Sequence, residues 1–232
     1  VVTIDSLNDN AYRGMAMAYK YINMPDKAEM NYLKAIQIQP QYWGNHNTLG
    51  VFYYHQGRNE DAITQFKKEI EITPENIKGY TNLGGIYFQL GQWDEAQKVF
   101  KKAITIEPSY QAYSNLGDLY FYRHHFDRAI QMYRKALALS DQDYVVWAGL
   151  AEAYLWQGTQ SEKAKEYFQK GDGINKDRPI NQIGLGHLSL LAKDTLEALR
   201  IFEETLDNTD FKDLSIFLQI AGAYINSDIK NI

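Results

Sequence analysis

Histidines and carboxylates are the residue types from which this sequence could build a catalytic or metal site. His124 and His125 are adjacent, but no further ligands stand at a helical spacing such as H-E-x-x-H, so we interpret them as a solvated turn. The acidic residues instead recur at regular intervals near the start of predicted helices, at Asp26, Glu60, Asp94, Asp127, Glu162 and Glu197. Because the helix dipole favours carboxylates at that end, the pattern indicates helix electrostatics rather than catalysis.

Two glycine-containing stretches could be taken for ligand-binding loops. The stretch GLGHL at 184–188 falls inside a predicted helix with no preceding strand, which argues against a phosphate loop. The stretch GDGINKD at 171–177 lacks the full D-x-[DN]-x-[DN]-G pattern and its terminal Glu, which disfavours calcium. Since G-x-S-x-G and cysteine are also absent, we expect no metal, no cofactor and no enzymatic activity.

The composition is that of an ordinary globular chain. Its 232 residues are 45% hydrophobic and 23% charged, with a formal net charge of -5. That balance provides no positive field for nucleic acid, and no apolar run approaches the roughly 20 residues of a membrane helix. We therefore expect no nucleic-acid partner and no membrane insertion. The composition leaves the compartment open, with the cytoplasm slightly favoured over an exported location.

A repeat with a period of about 34 residues organises the elements that must position any site. One alanine recurs in each period, at Ala28, Ala62, Ala96, Ala129, Ala164 and Ala198. The prolines Pro40, Pro74 and Pro108 keep the same interval. Such a period is the mark of a stacked repeat architecture, in which each unit buries its apolar face against its neighbours.

Residues 80–108, YTNLGGIYFQLGQWDEAQKVFKKAITIEP, form the clearest copy and predict two helices. Leu83, Gly84 and Tyr87 share one face of the first helix, and Gly91 ends that helix. Ala96 and Phe100 lie on the apolar stripe of the second helix, which the following proline terminates. Each copy is therefore a helical hairpin.

This pattern of Leu-Gly, Tyr, Ala, aromatic, Ala and Pro resembles the tetratricopeptide repeat family over nearly the whole chain. The resemblance implies an all-α, right-handed superhelical solenoid. We predict six copies, at 9–42, 43–76, 77–109, 110–143, 144–178 and 179–212, followed by an unpaired final helix at 213–232. Residues 1–8 would be the end of a preceding repeat, so we expect the sequence to be a fragment of a longer array that self-associates through its final helix.

The spacing also predicts local geometry. Gly50, Gly84 and Gly117 should let the two helices of a copy approach closely against the small alanines opposite them. His124 replaces the turn glycine of other copies, so we expect it in the left-handed region of backbone space. The stretch KGDGINKDRP at 170–179 should be the hinge or kink of the array.

In the family, the first helices line a concave groove that binds extended peptides. The family's contact positions, carried onto this chain, predict a site at Asn47, Tyr54, His55, Lys78, Thr81, Asn82, Phe88, Gln89, Gln111, Ser114, Asn115, Asp118, Phe121, Tyr122, Glu152 and Trp156. Asn82 and Asn115 would hold a peptide backbone, since an amide both donates and accepts. The aromatic side chains either receive ligand side chains or only pack between neighbouring first helices.

The resemblance implies a non-catalytic scaffold whose partner is a protein or peptide. Positive charge in the groove is limited to Arg13, Lys20 and Lys78, which disfavours an acidic C-terminal tail as ligand. The alternative is a regulatory, sensor or oligomerisation region, because the repeats also look like those fused to bacterial kinases, cyclases and transcription regulators.

Overall fold

The computed structural model describes residues 8–158, 160–175 and 179–207. Within them the chain forms twelve α-helices and no strand. The helices are α1 (Asp9–Tyr21), α2 (Pro25–Ile38), α3 (Trp43–His55), α4 (Asn59–Ile72), α5 (Ile77–Gln89), α6 (Trp93–Ile106), α7 (Tyr110–Tyr122), α8 (Phe126–Leu139), α9 (Tyr144–Gln157), α10 (Ser161–Ile174), α11 (Ile180–Leu191) and α12 (Thr195–Asp207).

Consecutive helices pair as α1/α2 through α11/α12, so the described residues contain six helical hairpins in a solenoid-like arrangement. The predicted all-α repeat fold is confirmed, while the boundaries of the copies remain predictions. The chain divides into two compact units, Val1–Pro108 (unit 1) and Ser109–Ile232 (unit 2). Unit 1 holds α1–α6 and unit 2 holds α7–α12. None of the helices described is long and apolar enough to cross a membrane.

Helix ends follow from local sequence. Side chains of Asn8, Asn76, Ser109 and Asp143 accept hydrogen bonds from backbone N–H groups in the first turn of α1, α5, α7 and α9. These caps satisfy donors that have no partner within the helix. Each second helix begins with an acidic residue in its first turn, at the predicted positions.

The turn inside each hairpin contains one residue with positive φ. The six residues are Asn23, Gly57, Gly91, His124, Gly158 and Lys193. The prediction for His124 is confirmed, since its φ is 58°. The hairpin geometry therefore holds a left-handed residue in place even where the sequence provides no glycine.

The glycines of the first helices pack against aromatic rings. A Cβ added to Gly84 would lie 2.4 Å from Cε1 of Phe100, and at Gly117 it would lie 2.7 Å from Cε1 of Tyr133. The nearest atoms to an added Cβ therefore belong to these rings, while Ala96 and Ala129 are fully buried and their position opposite the glycines stays a prediction. The ring of Phe100 or Tyr133 fills the space that a side chain at the facing glycine would need, so the core stays densely packed there.

Successive hairpins stack through their first helices within each unit. In unit 1, α1 contacts α3 and α3 contacts α5, and in unit 2, α7 contacts α9 and α9 contacts α11. Each second helix, where another hairpin follows in its unit, also contacts the first helix of that hairpin. The first helices therefore form one continuous side within each unit, which we call the first-helix face.

Some predictions fall at or beyond the limits of the described residues. Residues 1–7 and the predicted final helix at 213–232 lie outside them. Within 170–179, Gly171 and Gly173 are part of α10, which continues to Ile174. The glycines therefore do not break the helix, and residues 176–178 of the predicted hinge are not described.

Candidate peptide-binding face

Every predicted site residue lies on a first helix. On α3 and α5 of unit 1, Tyr54, His55, Lys78 and Gln89 are exposed, while Asn47, Thr81, Asn82 and Phe88 are half-buried. On α7 and α9 of unit 2, Gln111 and Tyr122 are exposed, while Ser114, Asn115, Asp118, Phe121, Glu152 and Trp156 are half-buried.

One pocket in unit 1 gathers predicted residues from two successive first helices. Tyr54 of α3 and Thr81 and Asn82 of α5 line a cavity of about 220 Å³, together with Val51, Phe66, Gly85 and Ile86. The ring of Phe66 also faces Gly50, where an added Cβ would lie 2.7 Å from Cε1 of the ring. The ring therefore serves both the hairpin interior and the seam to the next hairpin.

A second pocket of unit 1 contains residues that the sequence reasoning left out. Met17, Lys20 and Tyr21 of α1 line a cavity of about 360 Å³ with Tyr32, Asn47, Thr48, Val51 and Phe52. The side chains of Met17 and Tyr21 are 61% and 92% exposed. The repeat itself could have found them, since Met17 lies one period before Val51 and Tyr21 lies one period before His55.

Asn47 is already engaged inside the protein. Its Nδ2 donates a hydrogen bond of 2.9 Å to Oε2 of Glu69, whose side chain is 0% exposed. Burial raises the pKa of Glu69 to about 7, and the Asn47 hydrogen bond and the Lys78 charge oppose that rise. The side-chain amide of Asn47 therefore already donates to the buried carboxyl of Glu69, and that donor is not available to a ligand.

Asn82 and Asn115 differ from Asn47 in this respect. Neither side chain makes a hydrogen bond within the part of the chain that the structure describes. Each is half-buried on a first helix, one in α5 and one in α7. Both amides therefore keep their full donor and acceptor capacity for a ligand.

The three cations of the predicted groove have different surroundings. The guanidinium of Arg13 lies 4.8 Å from the ring centroid of Tyr42 and 3.9 Å from Asp9, and Nζ of Lys78 lies 5.6 Å from the ring centroid of Trp43. Lys20 is exposed and makes no ion pair or aromatic contact with any described residue. Of these three charges, that of Lys20 is the most available to a ligand.

Unit 2 places titratable groups on its first-helix face. The hydroxyl of Tyr133 donates a hydrogen bond of 2.7 Å to Oδ1 of Asp118. Burial raises the pKa of Asp118, and the Tyr133 hydrogen bond lowers it. Burial, together with the Asp118 charge, raises the pKa of Glu152 to about 7.

Tyr133 was missing from the sequence prediction because it lies on a second helix. The signal available was a tyrosine where three other copies carry Phe66, Phe100 and Phe168, although the first copy also carries a tyrosine there, Tyr32. An added Cβ at Gly149 of the next hairpin would lie 2.8 Å from Cζ of Tyr133. The two small residues Gly117 and Gly149 therefore let the ring reach between two first helices, which brings its hydroxyl to Asp118.

The aromatic positions of unit 2 differ in their surroundings. The ring centroid of Phe121 lies 5.7 Å from that of Phe126 and 5.8 Å from that of Tyr122. Because Phe126 begins the second helix of the same hairpin, this contact favours a packing role for Phe121. Tyr122 is 59% exposed and extends beyond this packing.

The histidine pair has aromatic neighbours. His124 lies 5.8 Å from the ring centroid of Phe126, and His125 lies 6.4 Å from that of Tyr120. Within the described ranges, the structure contains no group of three or more His, Cys, Asp or Glu residues placed to hold a metal ion.

Family models identify the repeat. Models described as tetratricopeptide repeats match residues 10–42, 77–142 and 120–180, and one described as a TPR repeat matches residues 50–91. The chain is a tetratricopeptide repeat protein. No curated relative matches its sequence significantly.

Solved structures share the fold of this tetratricopeptide repeat protein. PilF of Pseudomonas aeruginosa is 18% identical with a TM-score of 0.73, over 92% of this chain and 95% of that chain. YrrB, a TPR protein with an unusual peptide-binding site, is 16% identical with a TM-score of 0.58, over 82% of this chain and 97% of YrrB.

A third likeness is to a chain of the Cut9–Hcn1 hetero-tetramer of the APC/C. It is 16% identical with a TM-score of 0.77, over 94% of this chain and 43% of that chain. This tetratricopeptide repeat protein therefore spans less than half the length of that chain. At these identities the likeness extends to the fold alone.

Proposed function

We propose that this tetratricopeptide repeat protein is a non-catalytic scaffold that binds an extended segment of another protein along its first-helix face. Such repeats generally act in protein–protein interaction. The observation that carries the proposal is the cavity shared by Tyr54, Thr81 and Asn82, in which predicted contact residues from two successive hairpins meet. YrrB, with its peptide-binding site, provides a precedent in the same fold.

The available amides of Asn82 and Asn115 support an extended ligand. An extended backbone presents N–H and C=O groups without internal partners, and an amide side chain can pair with either. Because these contacts involve no ligand side chain, they give affinity without a sequence requirement. Tyr54 and Tyr122, both exposed, would then receive side chains of the ligand.

The charges argue against an acidic C-terminal tail as the ligand. In unit 1, Arg13 and Lys78 already lie over aromatic rings. In unit 2, the half-buried carboxyls of Asp118 and Glu152 would repel a carboxylate. We therefore propose a neutral or basic segment as the partner for unit 2.

Selection of a random peptide library displayed on phage, followed by fluorescence anisotropy, tests the proposal. The selected peptides should bind the parent protein. At least one of the double variants Tyr54→Ala/Asn82→Ala and Asn115→Ala/Tyr122→Ala should weaken that binding about tenfold or more, because aromatic anchors contribute most of the affinity at such faces.

The matched control is Lys98→Ala/Gln131→Ala, which removes exposed side chains from the second helices α6 and α8. It should leave the affinity unchanged. Binding that survives both first-helix variants and is lost in this control would place the site on the second helices instead.

A further inference from the structure

The two pockets of unit 1 are copies of one another, one repeat apart. Met17, Tyr32 and Phe52 in the first pocket stand one period before Val51, Phe66 and Ile86 in the second. Val51 belongs to both and forms the wall between them. A ligand lying along this face therefore meets the same kind of cavity twice, at a fixed interval.

The interval is set by the packing of the first helices. Since α1 contacts α3 and α3 contacts α5, the pockets are one helix spacing apart, and the axes of packed helices are generally about 8–10 Å apart. A polyproline II segment has three residues per turn and rises about 3.1 Å per residue, so side chains at i and i+3 lie on one side about 9 Å apart. Its repeat matches the interval between the pockets.

A β-strand matches this interval less well, and an α-helix matches it only at i and i+7. In a β-strand, the side chains on one face are about 7 Å apart at i and i+2 and about 13 Å apart at i and i+4. In an α-helix, neighbouring residues of one face at i and i+4 are about 6 Å apart, and a residue at i+7 is about 10 Å away. The helical register of seven is therefore the rival to be separated by experiment.

The chemistry of the pockets defines the ligand further. Their floors are the aromatic or aliphatic side chains of Tyr32, Phe52 and Ile86, so each accepts an apolar side chain. Asn82 in the second pocket has an uncommitted amide, and a polyproline II backbone keeps its polar groups free to meet it. Lys20 on the first pocket is exposed and makes no ion pair with a described residue, which suits an acidic side chain nearby.

We propose that unit 1 binds a polyproline II segment whose apolar side chains at i and i+3 enter the two pockets, with an acidic side chain beside the first contacting Lys20. The inference rests on the proposed peptide-binding function and specifies its register and ligand class.

A series of fluorescein-labelled, proline-rich peptides tests the register. Each of these peptides carries two leucines, the second placed two, three or four positions after the first, and one glutamate next to the first leucine. A matching alanine-rich peptide with its leucines seven positions apart tests the helical register, because proline would prevent that peptide from forming a helix. Anisotropy titrations of the full chain should give the tightest binding at a separation of three, by about tenfold over the others. Equal affinity across the series, or a best separation of two, four or seven, would overturn the proposal.

Gly85→Phe tests the second pocket without disturbing the core. An added Cβ at Gly85 has nothing within 4 Å, so the new ring extends into the cavity. The peptide with separation three should lose about tenfold in affinity and bind no better than a single-leucine peptide. The matched control is Gly173→Phe, because Gly173 also has nothing within 4 Å but is exposed on the second helix α10, and it should bind like the parent.

Lys20→Gln tests the charge. The variant should bind the glutamate peptide several-fold more weakly at low salt and bind a matching glutamine peptide like the parent. An unchanged affinity for the glutamate peptide would overturn the role of Lys20. If peptides selected from the random library bind but the leucine series shows no preference for three, the register is wrong and the peptide-binding face stands; if neither set binds, both proposals fail.

Discussion

The two units differ most clearly at one position of the repeat, the ninth residue of each predicted copy. In unit 1 this position is apolar and borders the pockets, and in unit 2 it is titratable; the residues are Met17, Val51 and Gly85 in the first and Asp118, Glu152 and His187 in the second. The same position of the first helix is therefore apolar in the hairpins of unit 1 and titratable in those of unit 2. In the proposed function, the repeat would fix where a ligand contacts the protein, and the ninth residue would decide whether it contacts an apolar or a titratable side chain.

The framework under both faces is shared. A glycine on a first helix faces an aromatic ring of the following helix in both units, as in Gly84 with Phe100 and Gly117 with Tyr133. The two units therefore share this packing, and they differ in the side chains that the first helices present at the face. Each prediction below either tests the common part or separates the two faces.

The largest effect is expected from filling the space opposite the ring. Gly84→Leu in unit 1 and Gly117→Leu in unit 2 should each lower the free energy of unfolding by about 1–3 kcal/mol, because the new side chain overlaps the ring. Urea denaturation measures this. A variant that unfolds with the parent would show that its unit does not share the framework.

The next largest effect is expected in the pH dependence of the free energy of unfolding, because the unit 2 face carries the titratable Glu152. A carboxyl whose pKa is raised in the folded protein holds its proton to higher pH than the unfolded chain does, so it destabilises the fold as pH rises from about 4.5 to 7. Glu152→Gln removes this loss, which we expect to be about 1–2 kcal/mol because the side chain is partly exposed. Urea denaturation at pH 5 and pH 7.5 measures the change.

Glu69→Gln is the matched variant in unit 1. Glu69 also has a pKa raised to about 7, but it is fully buried and belongs to neither pocket of its unit. Both variants should flatten the pH profile. If Glu69→Gln abolished the pH dependence of stability and Glu152→Gln left it unchanged, the carboxyl with the raised pKa would lie in unit 1 alone. That result would contradict the titratable face assigned to unit 2.

Tyr133→Phe tests the hydroxyl that donates a hydrogen bond to Asp118 on the first-helix face of unit 2. Losing the hydrogen bond to Asp118 should lower the free energy of unfolding by about 1 kcal/mol. A double-mutant cycle with Asp118→Asn isolates the pairwise contribution. Zero coupling between the two substitutions would mean that the hydroxyl and the carboxyl act independently.

The smallest effect is expected at Gly85, where unit 1 leaves open space. Gly85→Ala should raise the free energy of unfolding by about 0.5–1 kcal/mol, because alanine fits a helix better and the added Cβ has nothing within 4 Å. The adjacent Gly84→Ala should lower it instead, since its Cβ would lie 2.4 Å from the Phe100 ring. Changes of the same sign in thermal denaturation would contradict this assignment of the two neighbours.

The fold could be predicted because the same pattern of apolar, small and turn residues recurs about every 34 residues. The turn residue His124 illustrates this, since five other hairpins define the conformation that it must adopt. The glycines of the hinge predicted around Gly171 are instead helical, because the apolar stripe of α10 continues through them to Ile174. Repetition thus predicts the common geometry better than the local exceptions.

The candidate site was only partly predictable for a related reason. The list of contact positions places side chains on the first-helix face but does not say what lies below them. Asn47 is bound to Glu69 of the following helix, and Tyr133 reaches Asp118 from a second helix. Such contacts depend on the three-dimensional packing of particular side chains, which periodicity does not encode. The neglected residues Met17 and Tyr21, in contrast, could have been found by extending the repeat to the first copy.

Photo-crosslinking tests most directly whether ligands bind along the first-helix face. The photoreactive residue p-benzoylphenylalanine would replace the exposed tyrosines Tyr54 and Tyr122 on first helices and, as controls, Lys98 and Gln131, which are exposed on second helices. Each protein would be irradiated with the library-selected peptides and analysed by mass spectrometry. We predict crosslinks from position 54 or 122 and none from 98 or 131; crosslinks from the second-helix positions alone would contradict the proposed function.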